Sequence, residues 1–229
     1  MTNVLHINIA HLTSFLAWFM QNSFLIHAIE ADHLIIYFCD HKWLLLVMND
    51  NINLSSKFIK IFEDFNDAFY NDDLITYQNS ERYIFHFFDC SINWQIIQQN
   101  TVTISTTEAE LLALTHDSKQ IMWWQWFFRQ LDFDSDHEYM IHCDNEQTVD
   151  LVNKTISLIS TKLCHVDIHQ HWLCECVQNK IFTVEKLSTN QILADDLMKS
   201  LSRQKHEKFL QLLEMLNLSF HWIFWWFYA

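Results

Sequence analysis

Four acidic residues lie where the sequence suggests the start or end of a secondary-structure element. Asp67 lies on or just after a β-rich segment, and Glu110 lies in the first turns of a helical segment. Asp144 directly follows the β-rich "IHC", and Asp195 falls within "ILADDL". Elements in this order can bring the four side chains together. Carboxylate oxygens are the ligands that Mg²⁺ prefers in proteins, so the chemistry these residues could support is that of a divalent-cation site.

The stretch "TVTISTTEAELLALTHDSKQ" (residues 101–120) changes from alternating β-branched residues to a helical pattern with acidic residues near its start. Ser105 is the expected N-cap, and Glu108 stands three residues later, which is the capping-box spacing. Glu110 lies where an apolar face begins at Leu111, at the edge of the expected core. We therefore expect Glu108 to cap the helix and Glu110 to remain available as a ligand.

The order of elements predicts an α/β fold. After about residue 57, the segments "KFIKIFEDFND", "RYIFHFF", "SINWQI" and "TVTIS" are short and β-rich, which indicates three consecutive antiparallel strands. There follow a helix from about 106 to 131, a strand "EYMIHC", helices after Asp144 and around "DIHQHWLCECV", a strand "IFTVEKL", and a helix from about Arg203. This order fits a mixed sheet with helices on its faces. Residues 1 to about 50 are mainly apolar and predicted helical.

The composition contains no glycine and no proline in 229 residues. Average usage would give about 16 glycines and about 11 prolines, so chance does not explain the absence. Arginine occurs only three times, and all three residue types have codons rich in G and C, which indicates a mutational bias toward A and T. Turns that need positive φ must then be made by Asn, Asp or Ser, at a cost in stability.

The net charge of −14 argues against a strong electrostatic grip on nucleic acid, which depends largely on Lys and Arg. The six cysteines form no secreted-protein framework and the N-terminus has no signal pattern, so we expect reduced thiols and an intracellular location, cytoplasmic or nuclear. The apolar tail "FHWIFWWFYA" is shorter than the roughly 20 residues of a membrane span, so we expect no membrane partner.

Six sequence blocks, in order, resemble the ribonuclease H region of copia-type retrotransposon polyproteins. They are "NDAFYNDD", "SINWQ", "TVTISTTEAELLAL", "IHCDNEQTV", "TKLCHVDIHQHWLCECV" and "LSTNQILADDLMKSLSRQKHEKF". Residues before about 56, especially "ADHLIIYFCDHKWLLL", more weakly resemble the end of the reverse transcriptase part. We therefore predict a helical reverse transcriptase remnant at 1–56, a ribonuclease H-like domain at 57–214 and a disordered apolar tail at 215–229.

The resemblance implies a ribonuclease H-like mixed five-stranded sheet and a two-metal nuclease. Such an enzyme uses two Mg²⁺ ions, or Mn²⁺, to hydrolyse the RNA strand of an RNA–DNA hybrid, and it works beside the rest of the reverse transcriptase. Carried over by position, Asp67 and Asp144 are the ligands at strand ends. Glu110 is the helix ligand in the "AEL" block, and Asp195 is the final ligand.

Departures from the family pattern suggest a mutationally decayed copy. Phe69 stands where the family has a small residue, Asp196 where it has Gly or another residue, and Ser200 where it has Pro, and Cys164 and Cys174 stand where it usually has Arg. We therefore expect a weak or inactive enzyme despite the four surviving carboxylates. The alternatives are a non-enzymatic pseudogene remnant and a nucleic-acid-binding module.

Three other motifs offer rival interpretations. The segment "CHVDIHQHWLCEC" places six Cys and His residues within 13 positions, which could bind zinc, although structural sites favour a C-x₂₋₄-C pairing. "YNDD" at 70–73 imitates a polymerase motif but follows the first nuclease strand, so its acids are expected in a turn. "MWWQWFF" at 122–128 could stack on bases, but its helical spacing favours a core role.

Overall fold

The computed structural model describes residues 7–20, 22–41, 44–46, 62–69, 77–88, 90–133, 139–154, 164–197, 201–213 and 215–217. Within these ranges the chain forms a five-stranded mixed sheet, helices on both of its faces, and a small two-stranded sheet near the ends of the chain.

The N-terminal region contains two helices, α1 (Ala10–Trp18) and α2 (Leu25–His41), as predicted. The expected helical character does not extend to Leu44–Leu46, which forms strand β1. This strand pairs antiparallel with β7 (Met215–Asn217), so the first three residues of the predicted disordered tail form a strand instead. Residues 218–229, which carry the rest of the tail, lie outside the described residues.

The main sheet has the predicted mixed topology. Strands β2 (Phe62–Phe69), β3 (Ser80–Phe87) and β4 (Cys90–Gln98) are antiparallel neighbours. Strands β5 (Tyr139–Cys143) and β6 (Thr183–Lys186) run parallel to β2, giving the order β4-β3-β2-β5-β6. The central position of β2 places its end at the junction between the antiparallel and parallel halves of the sheet.

The expected β character of "TVTIS" (101–105) is wrong, because this segment forms no strand. Buried side chains hold the connection from β4 to the next helix instead. The Asn79 amide donates to Gln99 Oε1 at 3.0 Å and to Thr103 Oγ1 at 2.6 Å, and Gln99 Nε2 donates to the Ala109 carbonyl at 2.9 Å. These bonds direct the chain away from the sheet and fix where the following helix begins.

Helices cover both faces of the sheet. They are α3 (Thr106–Gln130), α4 (Glu146–Asn153), α5 (Cys164–Gln178), the short α6 (Leu193–Asp196) and α7 (Arg203–Leu212), with 3₁₀ turns at Ile7–Ile9 and Thr189–Gln191. Because successive strand residues point to opposite faces, Phe62 joins one core with α3 and α5, while Phe65 joins a second core with α6 and α7. The sheet is therefore buried on both sides.

Two further sequence expectations bear on the chemistry of the chain. Each helix in the described part of the chain is too short or too polar to cross a bilayer. The five cysteines whose side chains are described, Cys39, Cys90, Cys143, Cys174 and Cys176, are free thiols.

Helices α3 and α5 both end in the hydrogen-bond pattern that usually requires glycine. After α5, the Ile181 amide donates to the Cys176 carbonyl and the Lys180 amide to the Val177 carbonyl, each at 3.0 Å, which is a Schellman motif. Lys180 consequently adopts φ 55°. Asp132 takes the equivalent position after α3, with φ 52°.

The expectation that Asn, Asp and Ser would fill the positive-φ positions holds for Asp132 alone among the described residues. Tyr77, Phe88 and Lys180 also have positive φ. At Asp132 and Lys180 the helix-end hydrogen bonds set the backbone angle, and the side chain at that position must accept it. Each such residue is strained relative to glycine by about 1 kcal/mol.

The substitution Lys180→Gly should raise the free energy of unfolding by about 1 kcal/mol, because glycine reaches φ 55° without a Cβ clash and Lys180 is exposed. Urea unfolding of the purified parent and variant chains measures this change in the free energy of unfolding. Lys154→Gly is the matched control, because Lys154 follows α4 with φ −71° and should gain nothing. Equal effects of the two substitutions would contradict the assignment of strain to Lys180.

Candidate active site

The ends of two parallel strands place two of the predicted acids side by side. Strand β2 pairs with β5 in parallel, with Phe65 opposite His142. Extending that register by two residues sets Asp67 beside Asp144, which directly follows β5. Asp67 is buried, whereas Asp144 is partly exposed.

Glu110 reaches the same end of the sheet from helix α3. The cap that fixes this helix is as predicted, because Ser105 Oγ accepts from the Glu108 amide at 3.1 Å. Glu108 Oε2 accepts from the Ile104 amide at 2.9 Å, which ties the residue before the cap to the first turn. Glu110, two residues further along, is buried and accepts a hydrogen bond from the backbone of Ala68 in β2.

Cys143 is a member of this cluster that the sequence reasoning missed. Single potential ligand atoms of Glu110, Cys143 and Asp144 all lie within 4.8 Å of one another, and Cys143 Sγ is 3.9 Å from Glu110 Oε2. The Asp144 carboxylate also accepts from Thr189 Oγ1 at 2.7 Å. Cys143 is the last residue of β5, and only its position before Asp144 in the sequence could have indicated its place.

Arg82 is the second residue that the sequence reasoning missed, and it connects Asp195 to the site. It lies on β3 directly opposite Asp67 and is 1% exposed. Its Nη2 forms an ion pair with Asp67 Oδ2 and lies 3.4 Å from Asp195 Oδ1, while Nη1 donates to the Asp195 carbonyl at 3.2 Å. The structure thus brings all four predicted acids to one region, with a guanidinium between two of them.

The site concentrates acidic side chains, and both their burial and their mutual repulsion raise their pKa values. Burial, opposed by Arg82 and reinforced by the charges of Asp144 and Asp195, raises the pKa of Asp67 to about 6. Burial, followed by the charges of Asp67 and Asp144, raises the pKa of Glu110 well above its ordinary value. Taking a carboxylate out of water and placing it near others disfavours its charged form, and a nearby cation favours it.

The donor atoms of the site suit a divalent cation. Glu110 and Asp144, with Asp67 beside them, offer the oxygen ligands that Mg²⁺ and Mn²⁺ accept. Burial raises the pKa of the Cys143 thiol, so it stays protonated and contributes little to a hard ion. The facing oxygens of Asp67 and Asp195 already contact Arg82.

A second buried acidic pair lies on the opposite face of β2 and was not predicted. Asp64 and Asp117 are each 1% exposed, and Asp117 accepts a hydrogen bond from the Asn66 amide. Burial, then the charge of Asp117, raises the pKa of Asp64 well above its ordinary value, and burial does the same for Asp117. Burial, followed by the charges of Asp117 and Asp64, raises the pKa of Tyr83. The charge of Glu81 adds to the rise in the pKa of Asp117.

The zinc interpretation finds no support among the described side chains. There, the one group of three or more potential ligands close enough to share an ion is Glu110, Cys143 and Asp144. Within the proposed zinc segment, Cys174 Sγ donates to the Leu151 carbonyl at 3.3 Å, and Cys176 lies in the core between α3, α5 and the sheet. The side chains of Cys164 and His165 lie outside the described part.

The aromatic segment of α3 is only partly a core element. Trp124 stacks on Phe85 with ring centres 5.5 Å apart and contacts Phe128, as the core interpretation requires. The interpretation is wrong for Trp123 and Trp126, which are about half exposed (49% and 56%). The polymerase-like "YNDD" lies outside the described residues.

Comparison with known proteins gives the family. Over 155 residues (68% of this chain) the sequence is 34% identical to a retrovirus-related Pol polyprotein from transposon TNT 1-94 of Nicotiana tabacum. Over 145 residues (63%) it is 28% identical to the Pol polyprotein from transposon RE2 of Arabidopsis thaliana. The chain is therefore similar, over about two thirds of its length, to retrovirus-related Pol polyproteins from copia-type transposons.

The match covers only a short part of those relatives, because the chain spans about a tenth of their length (11% and 10%). No family model matches the chain. Among solved structures, LC11-RNase H1, isolated from compost, aligns with a TM-score of 0.44 and 14% identity, over 60% of this chain and 92% of that one.

Asp64→Asn should raise the free energy of unfolding at pH 7 by about 1–3 kcal/mol. The substitution removes a buried carboxyl group that at pH 7 must either be ionised away from water or bind a proton, and both cost free energy. The native pKa values of Asp64 and Asp117 lie above their unfolded values. The native state therefore binds more protons, and its stability falls as pH rises above about 4. Urea unfolding between pH 5 and pH 8 should show a shallower fall for the variant.

The matched control is Asp150→Asn on α4, because Asp150 is exposed and lies outside the buried pair. This control should change neither the stability at pH 7 nor its pH dependence. A loss of stability in Asp64→Asn at pH 7, relative to both the parent chain and the control, would show that Asp64 makes a net favourable interaction.

Proposed function

We propose that the chain is the ribonuclease H-type nuclease segment of a retrotransposon Pol polyprotein. It binds a divalent cation on Asp67, Glu110 and Asp144 and hydrolyses the RNA strand of RNA–DNA hybrids, with weak activity in the chain as written. The similarity to Pol polyproteins from copia-type transposons supports the nuclease class. The observation that carries the proposal is the meeting of three carboxylates from β2, α3 and the end of β5 at one end of the sheet.

The carboxylates have a clear task in such a reaction. When bound, divalent cations activate the attacking water and stabilise the leaving 3′ oxygen. Asp67, Glu110 and Asp144 would hold the cation with their carboxylate oxygens, and the strands and helix that carry them keep these atoms in place. Thr189 donates to Asp144 Oδ2 and orients that carboxylate. Asp195, at the margin of the site, faces Asp67.

Selectivity for the RNA strand would come from the 2′-hydroxyl, which distinguishes RNA from DNA beside the scissile phosphate. Phosphate contacts from Lys and Arg normally supply most of the affinity for a duplex. The 14 basic residues are outnumbered by 28 acidic ones. Of the three arginines, Arg82 is buried in the site and Arg203 pairs with Glu207 at 2.9 Å. Weak substrate binding follows from this charge distribution.

The proposal is tested by incubating the purified chain with labelled substrates in Mg²⁺ and, separately, in Mn²⁺. We expect slow cleavage of the RNA strand of a hybrid, with duplex DNA and single-stranded RNA spared. Asp144→Asn should reduce hybrid cleavage to background, because it removes a ligand of the cation. Asp150→Asn, an exposed residue six positions further along, is the control and should cleave like the parent chain.

Hybrid binding provides a second measurement that does not depend on turnover. Because few phosphate contacts are available, affinity should fall only shallowly with salt, at a slope of about −0.9 per contact. Equal cleavage of duplex DNA would remove the ribonuclease H assignment. Hybrid binding without metal-dependent cleavage would favour the nucleic-acid-binding module instead.

A further inference from the structure

Arg82 is a buried cation whose position the nuclease mechanism does not explain. Its guanidinium is 1% exposed and sits between the carboxylates of Asp67 and Asp195. The same nitrogen, Nη2, faces both carboxylates, and Nη1 donates to the backbone carbonyl of Asp195. An arginine side chain stays charged at every accessible pH, so this is a permanent positive charge inside the acidic cluster.

We propose that Arg82 is a resident cation that occupies the Asp67–Asp195 half of the carboxylate cluster, so that the chain binds one divalent ion rather than two. The remaining ion belongs to the half formed by Glu110 and Asp144, which Arg82 does not contact. This inference rests on the proposed function, because it concerns the ion content of the same site.

The positions of the atoms carry the inference. A Mg²⁺ or Mn²⁺ ion would have to lie about 2.1 Å from its carboxylate oxygens. The guanidinium nitrogen already stands between Asp67 Oδ2 and Asp195 Oδ1, and it is part of a side chain anchored on the adjacent strand. An ion bound to both oxygens would overlap that nitrogen and would also be repelled by its charge.

Phe69 helps to hold the guanidinium in place. Its ring centre lies 5.7 Å from Arg82 Cζ, within the range of a cation–π interaction. Phe69 and Asp67 are two residues apart on β2, so their side chains lie on the same face of the strand. Phe69, which stands where the resembled family has a small residue, thus contacts Arg82.

The test is a titration of the metal-free chain with Mn²⁺, with bound ions counted by the loss of the free-ion electron paramagnetic resonance signal. The parent chain should bind one Mn²⁺. Arg82→Ala should bind two, because removing the guanidinium frees the oxygens of Asp67 and Asp195. Adding Asp195→Asn to Arg82→Ala should remove the second ion. The control, Arg203→Ala, removes an exposed arginine paired with Glu207 and should still bind one.

A second measurement keeps the inference testable if Arg82→Ala does not fold. In the parent chain, Asp195→Asn should leave both the number of bound Mn²⁺ ions and their affinity unchanged, because Asp195 is paired with Arg82. Asp144→Asn should weaken Mn²⁺ binding about tenfold or more, because it removes a direct ligand. A parallel loss of affinity in Asp195→Asn would overturn the inference.

The two hypotheses fail in different ways. Two Mn²⁺ ions in the parent chain, together with metal-dependent hybrid cleavage, would overturn the role of Arg82 and leave the nuclease proposal intact. One Mn²⁺ ion lost in Asp144→Asn, with hybrid cleavage missing in both the parent chain and Arg82→Ala, would support the role of Arg82 and count against the nuclease. If Arg82 limits the reaction, Arg82→Ala should cleave hybrids about tenfold faster or more.

Discussion

The constraint on which the rest of the structure depends is the burial of several carboxylates at the end of strand β2. Asp67 and Glu110 are almost inaccessible to water, and Asp144 and Asp195 lie close enough to raise the pKa of Asp67. Such a cluster is tolerated only if some of its members are protonated or a cation is present. Arg82 pairs with Asp67 and Asp195, which leaves Glu110 and Asp144, with Asp67 beside them, as the proposed place for a divalent ion.

Strand β2 carries acidic side chains toward both faces of the sheet, and the two groups have different surroundings. Asp67 faces Arg82 across the antiparallel ladder, whereas Asp64 meets another acid, Asp117, on α3. The Asn66 amide donates to Asp117, which offsets part of the burial of that carboxylate. The group around Asp67 therefore contains a cation, Arg82, among its carboxylates. The second group is a pair of buried acids, and the His116 ring nitrogen Nδ1 lies 3.7 Å from Asp117 Oδ1.

Without glycine, the helix ends keep their hydrogen-bonded geometry, but the positive-φ residues lower the free energy of unfolding. The helix ends at Asp132 and Lys180 keep the hydrogen bonds of a Schellman motif although neither residue is glycine. The connection into α3 is held by Asn79 and Gln99. Backbone hydrogen-bond requirements and core packing thus impose the same path on a chain whose composition is strongly biased.

The sequence by itself determined the order of the main-sheet strands and their helices and the cap at Ser105, because these depend on local periodicity, and it predicted the four acids that the structure brings to one region. It gave no means to place Arg82, Cys143 or Asp117. Arg82 lies opposite Asp67 only through the register of β2 and β3, and Asp117 meets Asp64 only where α3 packs on the sheet. Whether a buried side chain faces an opposite or a like charge depends on residues distant in sequence. The tertiary structure alone therefore decided which carboxylates have a cation and which remain open to one.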